Sequence, residues 1–420
     1  MPYAHAPSQG PLALLIARWR TPRFGRNFAL PSSTTHTSKM SASHTNRRPE
    51  RRHRPSSPRL ARATLGVAGV AALIACGGGA RDSSESASPS FVFADQASGS
   101  TALLQAISIV DSNTVWVSGH AGTYARTTDG GATWHAAVVP GADSLQFRDV
   151  EAVSADTAFL MSAGDGALSR VYKTVDAGAT WQLQYTNPVA KGFYDCMAFW
   201  DSRHGVVMSD EVDGRFPMIA TSDGVNWTPV PRESLPAALP GEGSFASSGS
   251  CVVARASGRA WIGTGNSTAT RVLHTTDGGA TWSADSTPLP SGEGVGIGSV
   301  AFRDDLHGAA MGGSMLDTSA RGNNIAFTSD GGVTWATATR APLRSAIYGG
   351  SYVPGAEVPT LVVVGPGGAA ATSDAGRSWS VIDSSSYWAV AFASPRAGWA
   401  IGPRGAIRLI RGQAPRVEVP

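Results

Sequence analysis

One pattern recurs six times along the 420-residue chain and leaves few folds open. Its first copy reads Thr127-Thr128-Asp129-Gly130-Gly131-Ala132-Thr133-Trp134, and it returns at Thr174 to Trp181, Thr221 to Trp227, Thr275 to Trp282, Thr328 to Trp335 and Thr372 to Trp379. The aspartates Asp129, Asp176, Asp223, Asp277, Asp330 and Asp374 follow one another at intervals of 47, 47, 54, 53 and 44 residues. A period near 50 residues is that of one four-stranded β-propeller blade. Each copy is preceded by two short apolar runs that read as strands, such as Val115 to Val117 and Leu361 to Val364. A seventh pair, Trp388 to Phe392 and Gly398 to Gly402, has no such turn after it. The expectation is an all-β, seven-bladed β-propeller of four-stranded antiparallel blades. Its last blade takes its fourth strand from Phe91-Val92-Phe93, which closes the ring and removes the exposed sheet edges. The 49 Gly and 26 Pro suit short strands and tight turns better than long helices.

The chemistry of the repeated turn accounts for its residues without catalysis. A short Asp carboxylate accepts hydrogen bonds from backbone N–H groups of its own turn, and the following Gly takes a positive φ. The Trp (Trp134, Trp181, Trp227, Trp282, Trp335 and Trp379) then opens the next strand and packs between neighbouring sheets. All six aspartates and all six tryptophans are therefore assigned a structural role. The third copy lacks one residue between Asp223 and Trp227, which predicts a tighter turn.

The N-terminal part reads as an address. Residues 41 to 62 are Arg-rich, and the uncharged apolar run Ala63 to Ala75 follows, in the order of a signal peptide's basic and apolar regions. That run is too short for a stable membrane span. It ends in Leu73-Ile74-Ala75-Cys76, which resembles a bacterial lipobox and implies lipid attachment at Cys76. The resulting division is an extension of non-native or disordered character over 1–39, with translation starting at Met40, a lipoprotein signal peptide over 40–76, a Gly/Ser-rich flexible linker over 77–90 and the propeller over 91–420. Residues 1–75 hold 12 of the 34 Lys and Arg and a single acid, Glu50, so the remainder carries a net charge of −8. A domain of that sign gains nothing from releasing counterions on phosphate, which argues against nucleic-acid binding. The expectation is an exported bacterial lipoprotein, periplasmic or on the cell surface, monomeric, held to the membrane by its lipid alone.

In a propeller with these turns between strands 3 and 4, the 2-to-3 turns and 4-to-1 connections share the opposite face. The long loops of that face are Ser209 to Pro217, Thr228 to Ser248, Gly265 to Thr270, Ser283 to Gly298 and Gly312 to Asn324, so blades three to five form the candidate binding lobe. Its candidate residues are Asp210, Glu211, Asp213, Arg215, Arg232, Glu242 and Arg321, with Tyr194 and Asp195 at the start of an inner strand near the channel mouth. Tyr194, Trp200, Tyr348, Tyr387 and Trp388 are the rings expected to be exposed near the inner rim. Cys196 and Cys251 fall at the same stage of successive repeats, on adjacent inner strands. They form either a disulfide, which export permits, or two separate buried thiols. The nine His show no metal-ligand spacing, and no CxxC or phosphate-binding loop occurs, so no metal or cofactor is implied.

The Ser/Thr-x-Asp-x-Gly-x-Thr-Trp pattern resembles the Asp-box, or BNR repeat. Sialidases carry Asp-boxes too, but Gly214-Arg215-Phe216-Pro217 does not match their Phe-Arg-Ile-Pro element. In size, blade count and rhythm, residues 91 to 420 are similar to the photosystem II stability and assembly factor family, in particular its bacterial non-photosynthetic relatives, often labelled oxidoreductases. Phe193 to Asp201, Asp213 to Phe216 and Val300 to Asp304 carry that resemblance. It implies a non-enzymatic binding or assembly scaffold with protein partners at the cell envelope. The oxidoreductase label finds no dinucleotide fingerprint here. The alternative function is a glycosidase on the loop face of blades three to five, working through paired carboxylates.

Overall fold

A computed structural model of the chain describes residues 89–413. The 1–39 extension, the 40–76 signal peptide with Cys76 and the linker up to residue 88 lie outside the described residues.

The described chain forms seven four-stranded antiparallel sheets. Blade 1 runs Leu104–Ile109, Val115–Gly119, Thr123–Thr127 and His135–Val138, from the axis outward. Blades 2 to 6 repeat that order from inner strands Phe147–Ala152, Tyr194–Phe199, Val252–Ala254, Val295–Phe302 and Gly349–Tyr352. Each inner strand touches the inner strand of the next blade, and that of blade 7, Ala389–Ser394, touches that of blade 1. Blade 7 continues with Ala397–Ile401 and Ala406–Gly412 and takes Phe91–Ala97 as its outer strand, in register Phe91 with Gly412 through Ala97 with Ala406. The ring is therefore closed by the N-terminal strand, as the seventh, incomplete repeat predicts.

Burial follows strand position. The second strands, such as Ala158–Ser162 and Leu361–Gly365, are buried on both faces because a neighbouring sheet covers each side, so they read as unbroken apolar runs. Outer strands such as His135–Val138 are largely exposed. Between blades the core is aromatic: Trp261 stacks on Phe302 with ring centroids 3.6 Å apart, and Trp335 meets the same Phe302 edge-on at 6.1 Å.

Each repeated turn sits between the third and fourth strands of its blade and closes the same hydrogen-bond network. In the first, Thr127 Oγ1 donates to Asp129 Oδ1 (2.8 Å) and accepts from the Gly131 N–H (2.9 Å). The Thr133 N–H (2.9 Å) and hydroxyl (2.5 Å) donate to the two carboxylate oxygens of Asp129. In the short third copy the Gly224 N–H, three residues along instead of four, bonds Thr221 Oγ1, and Asn226 replaces the second Thr through its N–H and side-chain amide. The turns also receive donors from the preceding blade. Tyr124 Oη donates to the Gly178 carbonyl (2.7 Å), Lys173 Nζ to that of Gly224 (2.9 Å) and Trp261 Nε1 to that of Gly331 (2.7 Å). At Gly178 a Cβ would lie 2.7 Å from the Tyr124 hydroxyl, and φ is +90°, so glycine answers both a backbone and a packing demand.

The leading Thr is nearly inaccessible while the Asp is exposed, so the two should respond differently. Thr127→Val strands the buried Gly131 N–H and is expected to cost about 1–3 kcal/mol in chemical denaturation. It should lower the melting temperature more than Asp129→Ala does. The bonds from Thr133 and Thr127 hold the Asp129 carboxyl down at about 2, and those from Thr334 and Thr328 hold Asp330 down at about 2 against desolvation. A folded-state value below the ordinary 3.8 contributes stability above about pH 4 that is lost as pH falls toward 2. Melting temperature measured from pH 5 to pH 2 should fall through this window, with a shallower fall in Asp129→Asn/Asp330→Asn.

Candidate functional site

The connection from blade 3 to blade 4 is the longest loop of the face opposite the repeated turns, and its path shapes the centre of the ring. It leaves Trp227–Pro229, makes a short 3-10 turn at Arg232–Ser234, and is pinned by Glu242. Glu242 is fully buried. Arg271 bonds both of its carboxylate oxygens, Nε at 2.8 Å, while Thr264 Oγ1 (2.7 Å) and the Leu239 N–H (2.8 Å) complete the set.

Beyond Glu242 the segment Phe245 to Ser250 reaches four other blades. Arg148 of blade 2 donates to the Ala246 carbonyl (3.0 Å). The Ser248 hydroxyl donates to the Tyr348 carbonyl beside blade 6 (2.6 Å), and the Ser250 hydroxyl to Ser299 of blade 5 (2.8 Å). A Cβ on Gly249 would lie 2.5 Å from Asp149 Oδ1 of blade 2 and 3.0 Å from Ala106 Cβ of blade 1, and its φ is +74°. A six-residue stretch touching blades 1, 2, 5 and 6 must lie across the axis, so this loop plugs the channel. Cys251, at its end, is disulfide-bonded to Cys196 of the adjacent inner strand, with Cα atoms 5.9 Å apart. Of the two alternatives for these cysteines, the structure has the bridge.

Above the plug, on the loop face, the mouth is set by β-bulges. The inner strands of blades 1, 2, 3 and 5 slip register at one equivalent position, where Gln105, Arg148, Asp195 and Gly298 are the extra residues. A bulge re-aims its side chain. Arg148 is enclosed by protein, and its Nη2 donates to Gln146 Oε1 (2.6 Å). Burial lowers the guanidinium to about 10, against the opposing field of Asp195. Burial, and then the Arg148 charge, bring His120 down to about 4, so this imidazole is neutral at physiological pH.

The candidate residues of the lobe divide among several places. Asp195 is buried at the mouth near Arg148, whereas its neighbour Tyr194 faces the interface of blades 2 and 3 and is buried there. Tyr194, Arg215 and Arg232 line one groove of about 370 Å³ between these blades, with Tyr185, Phe216 and Pro236. Neither guanidinium has an ion-pair partner among the described residues, and the Tyr194 hydroxyl lies beside that of Tyr185. Burial, with Tyr185 beside it, pushes that phenol well up. Glu211 caps its own loops, accepting from the Gly214 (2.5 Å) and Gly241 (3.0 Å) N–H groups. Asp210 lies against Gly243, and Asp213 stands exposed in a turn at φ +53°. Arg321 donates to carbonyls of its own loop, at Ser319 (2.6 Å) and Ala320 (3.1 Å).

Three expectations need correction. Glu242 is not a face residue, because its carboxylate is consumed by Arg271 inside the loop. Of the rings expected at the inner rim, Tyr194, Tyr348, Tyr387 and Trp388 are buried, and Trp200 is partly buried with its indole donating to the Arg259 carbonyl (3.0 Å). Part of the presumed Ser283 to Gly298 loop also folds, as strands Ser283–Ser286 and Val295–Phe302. Sequence reasoning passed over Arg148 and Glu151. A signal was present: Phe147-Arg148-Asp149-Val150-Glu151 places three charges in an inner strand whose counterparts carry one at most, Asp195.

Fold and rim together define a seven-bladed β-propeller with a plugged channel and an asymmetric loop face. Solved structures similar to it include one described as YCF48 bound to D1 peptide (TM-score 0.53, 17% identity, 77% of this chain and 97% of that one). YCF48 from Cyanidioschyzon merolae is similar too (TM-score 0.55, 16% identity, 76% and 98%). So is the WD40 β-propeller domain of Doa1 (TM-score 0.50, 13% identity, 79% and 100%). At these identities the likeness is one of fold. No protein-family model matches the chain, and no curated protein matches it.

Glu242→Ala leaves the half-buried Arg271 without its counter-charge, which is expected to cost about 3 kcal/mol. Limited proteolysis should show new cleavage between Pro229 and Cys251 in this variant, and unchanged protection would remove the ion pair from its role in holding the loop.

Proposed function

We propose that this chain is a non-enzymatic scaffold at the cell envelope, exported, lipid-anchored at Cys76, and binding an acidic peptide segment of a protein partner. The observation that carries the reading is the groove of blades 2 and 3. Arg215 and Arg232 stand over it without ion-pair partners among the described residues, and prolines and Phe216 form an apolar wall. Two unpaired guanidiniums favour a carboxylate-bearing ligand, and a pre-formed apolar groove spares the protein the cost of ordering itself on binding. A solved propeller of similar fold holds a peptide, which supports the scaffold reading. The lipobox-like Leu73 to Cys76 supports the anchor.

The test is affinity capture from detergent-solubilised envelope with the full-length protein and with Arg215→Glu/Arg232→Glu. Recovery of a defined partner should fall by roughly tenfold or more, about 1.4 kcal/mol, with the melting temperature unchanged. Equal recovery by both proteins would place the partner elsewhere.

A further inference from the structure

Below the plug, on the face of the repeated turns, the axis opens into a recess of about 610 Å³. Its size is that of a small-ligand pocket. Ile107, Val252, Val300 and Val390, from four different blades, supply apolar wall, and Ser248 to Ser250 of the plug form its floor. Into this recess projects Glu151. Its carboxyl is half-buried in the recess lining. Among the described residues its carboxyl has no hydrogen-bond donor and no cation, and its own charge raises the neighbouring Asp149.

Every other charged group facing the recess is already engaged. Asp149 accepts from the Val150 (2.8 Å) and Met197 (2.5 Å) N–H groups. Arg255 of blade 4 pairs with Asp305 at 2.9 Å, and Arg303 of blade 5 lies 3.8 Å from Asp304. Tyr352 of blade 6, pushed up to about 12 by burial, stays neutral, and the strands of blades 1 and 7 bring no charge. Burial pushes both carboxyls of the pair up, Glu151 to about 8. An acid thus faces the recess, and the described residues supply no cation for it.

We propose that the recess is a binding site for an alkylammonium group, whose hydrocarbon stem lies along the valines and whose charged head meets the Glu151 carboxylate. A divalent metal ion fits poorly, because no group of three ligating side chains occurs among the described residues, and a hydrated ion gains nothing from apolar walls. A free amine and a lysine side chain of a partner share this chemistry. The site stands on the other face from the groove of blades 2 and 3, so it holds or fails independently of that groove.

Binding requires the ionised acid, so entry of the ammonium group expels the proton of Glu151. Affinity therefore rises about tenfold per pH unit from pH 6 to 8 and levels off above. The test is isothermal titration calorimetry of the full chain from pH 6 to 9 with hexylamine, hexanol, calcium and a disordered lysine-containing peptide. Expected are saturable hexylamine binding with that pH slope and proton release, and at least roughly tenfold weaker, pH-independent binding in Glu151→Gln. Ala391→Phe, which fills the recess from blade 7 and leaves Glu151 intact, should also abolish binding. A peptide that binds more tightly than hexylamine would identify a protein lysine as the natural occupant, and the reverse order a free amine. Hexanol binding as tightly as hexylamine, calcium displacing it, no binding at pH 9, or unchanged affinity in both variants would each overturn the proposal.

Discussion

The ring rests on one hydrogen-bonded turn. Thr127 and its counterparts hold a buried N–H inside the turn and an aspartate outside it, which points the turn's carbonyls back at the preceding blade. Tyr124, Lys173 and Trp261 donate to those carbonyls from chemically different side chains. The turn therefore does two jobs at once: it ends a blade and it fastens that blade to its neighbour. A propeller blade buries its faces only against other blades, so a fastening repeated around the ring matters more than the strength of any one contact. Closure is fastened in the same way, since Gln96 Nε2 of the N-terminal strand donates to the Gly130 carbonyl (3.3 Å) while its Oε1 accepts from the indoles of Trp134 and Trp399 at 3.0 and 3.1 Å.

With the walls set by repetition, what distinguishes this propeller lies where the repetition breaks. Four inner strands carry a bulge at one position, and the side chains aimed by it include Arg148 and Asp195. One connection is long enough to cross the axis, and it does so under two constraints, the Glu242–Arg271 ion pair before it and the Cys196–Cys251 disulfide after it. The plug separates two ends of the axis with unlike chemistry. The upper mouth holds a cation with partners; the lower recess holds an acid, Glu151, with no partner among the described residues.

Much of this was legible from residue order. The blade count, the strand order, the shortened third turn and the completion of blade 7 by the segment Phe91-Val92-Phe93, which the structure extends to Ala97, all follow from local pattern. The candidate site was legible only in part. Tyr194, Arg215 and Arg232 do line one groove, yet adjacent Tyr194 and Asp195 face different compartments, and Glu242 proved to be an internal brace. Nothing in a loop's composition separates a solvated acid from one that meets an arginine 29 residues away.

The sequence by itself determined the architecture, because hydrogen bonds within a turn and burial within a strand depend on residues a few positions apart and repeat with the chain. Tertiary structure alone decided which charges meet on the axis. Arg148 and Glu151 of blade 2, Gly249 of the loop between blades 3 and 4 and Tyr348 beside blade 6 come from separate repeats, and their placement around the axis depends on strand bulges and on the path of one loop, which no local pattern encodes.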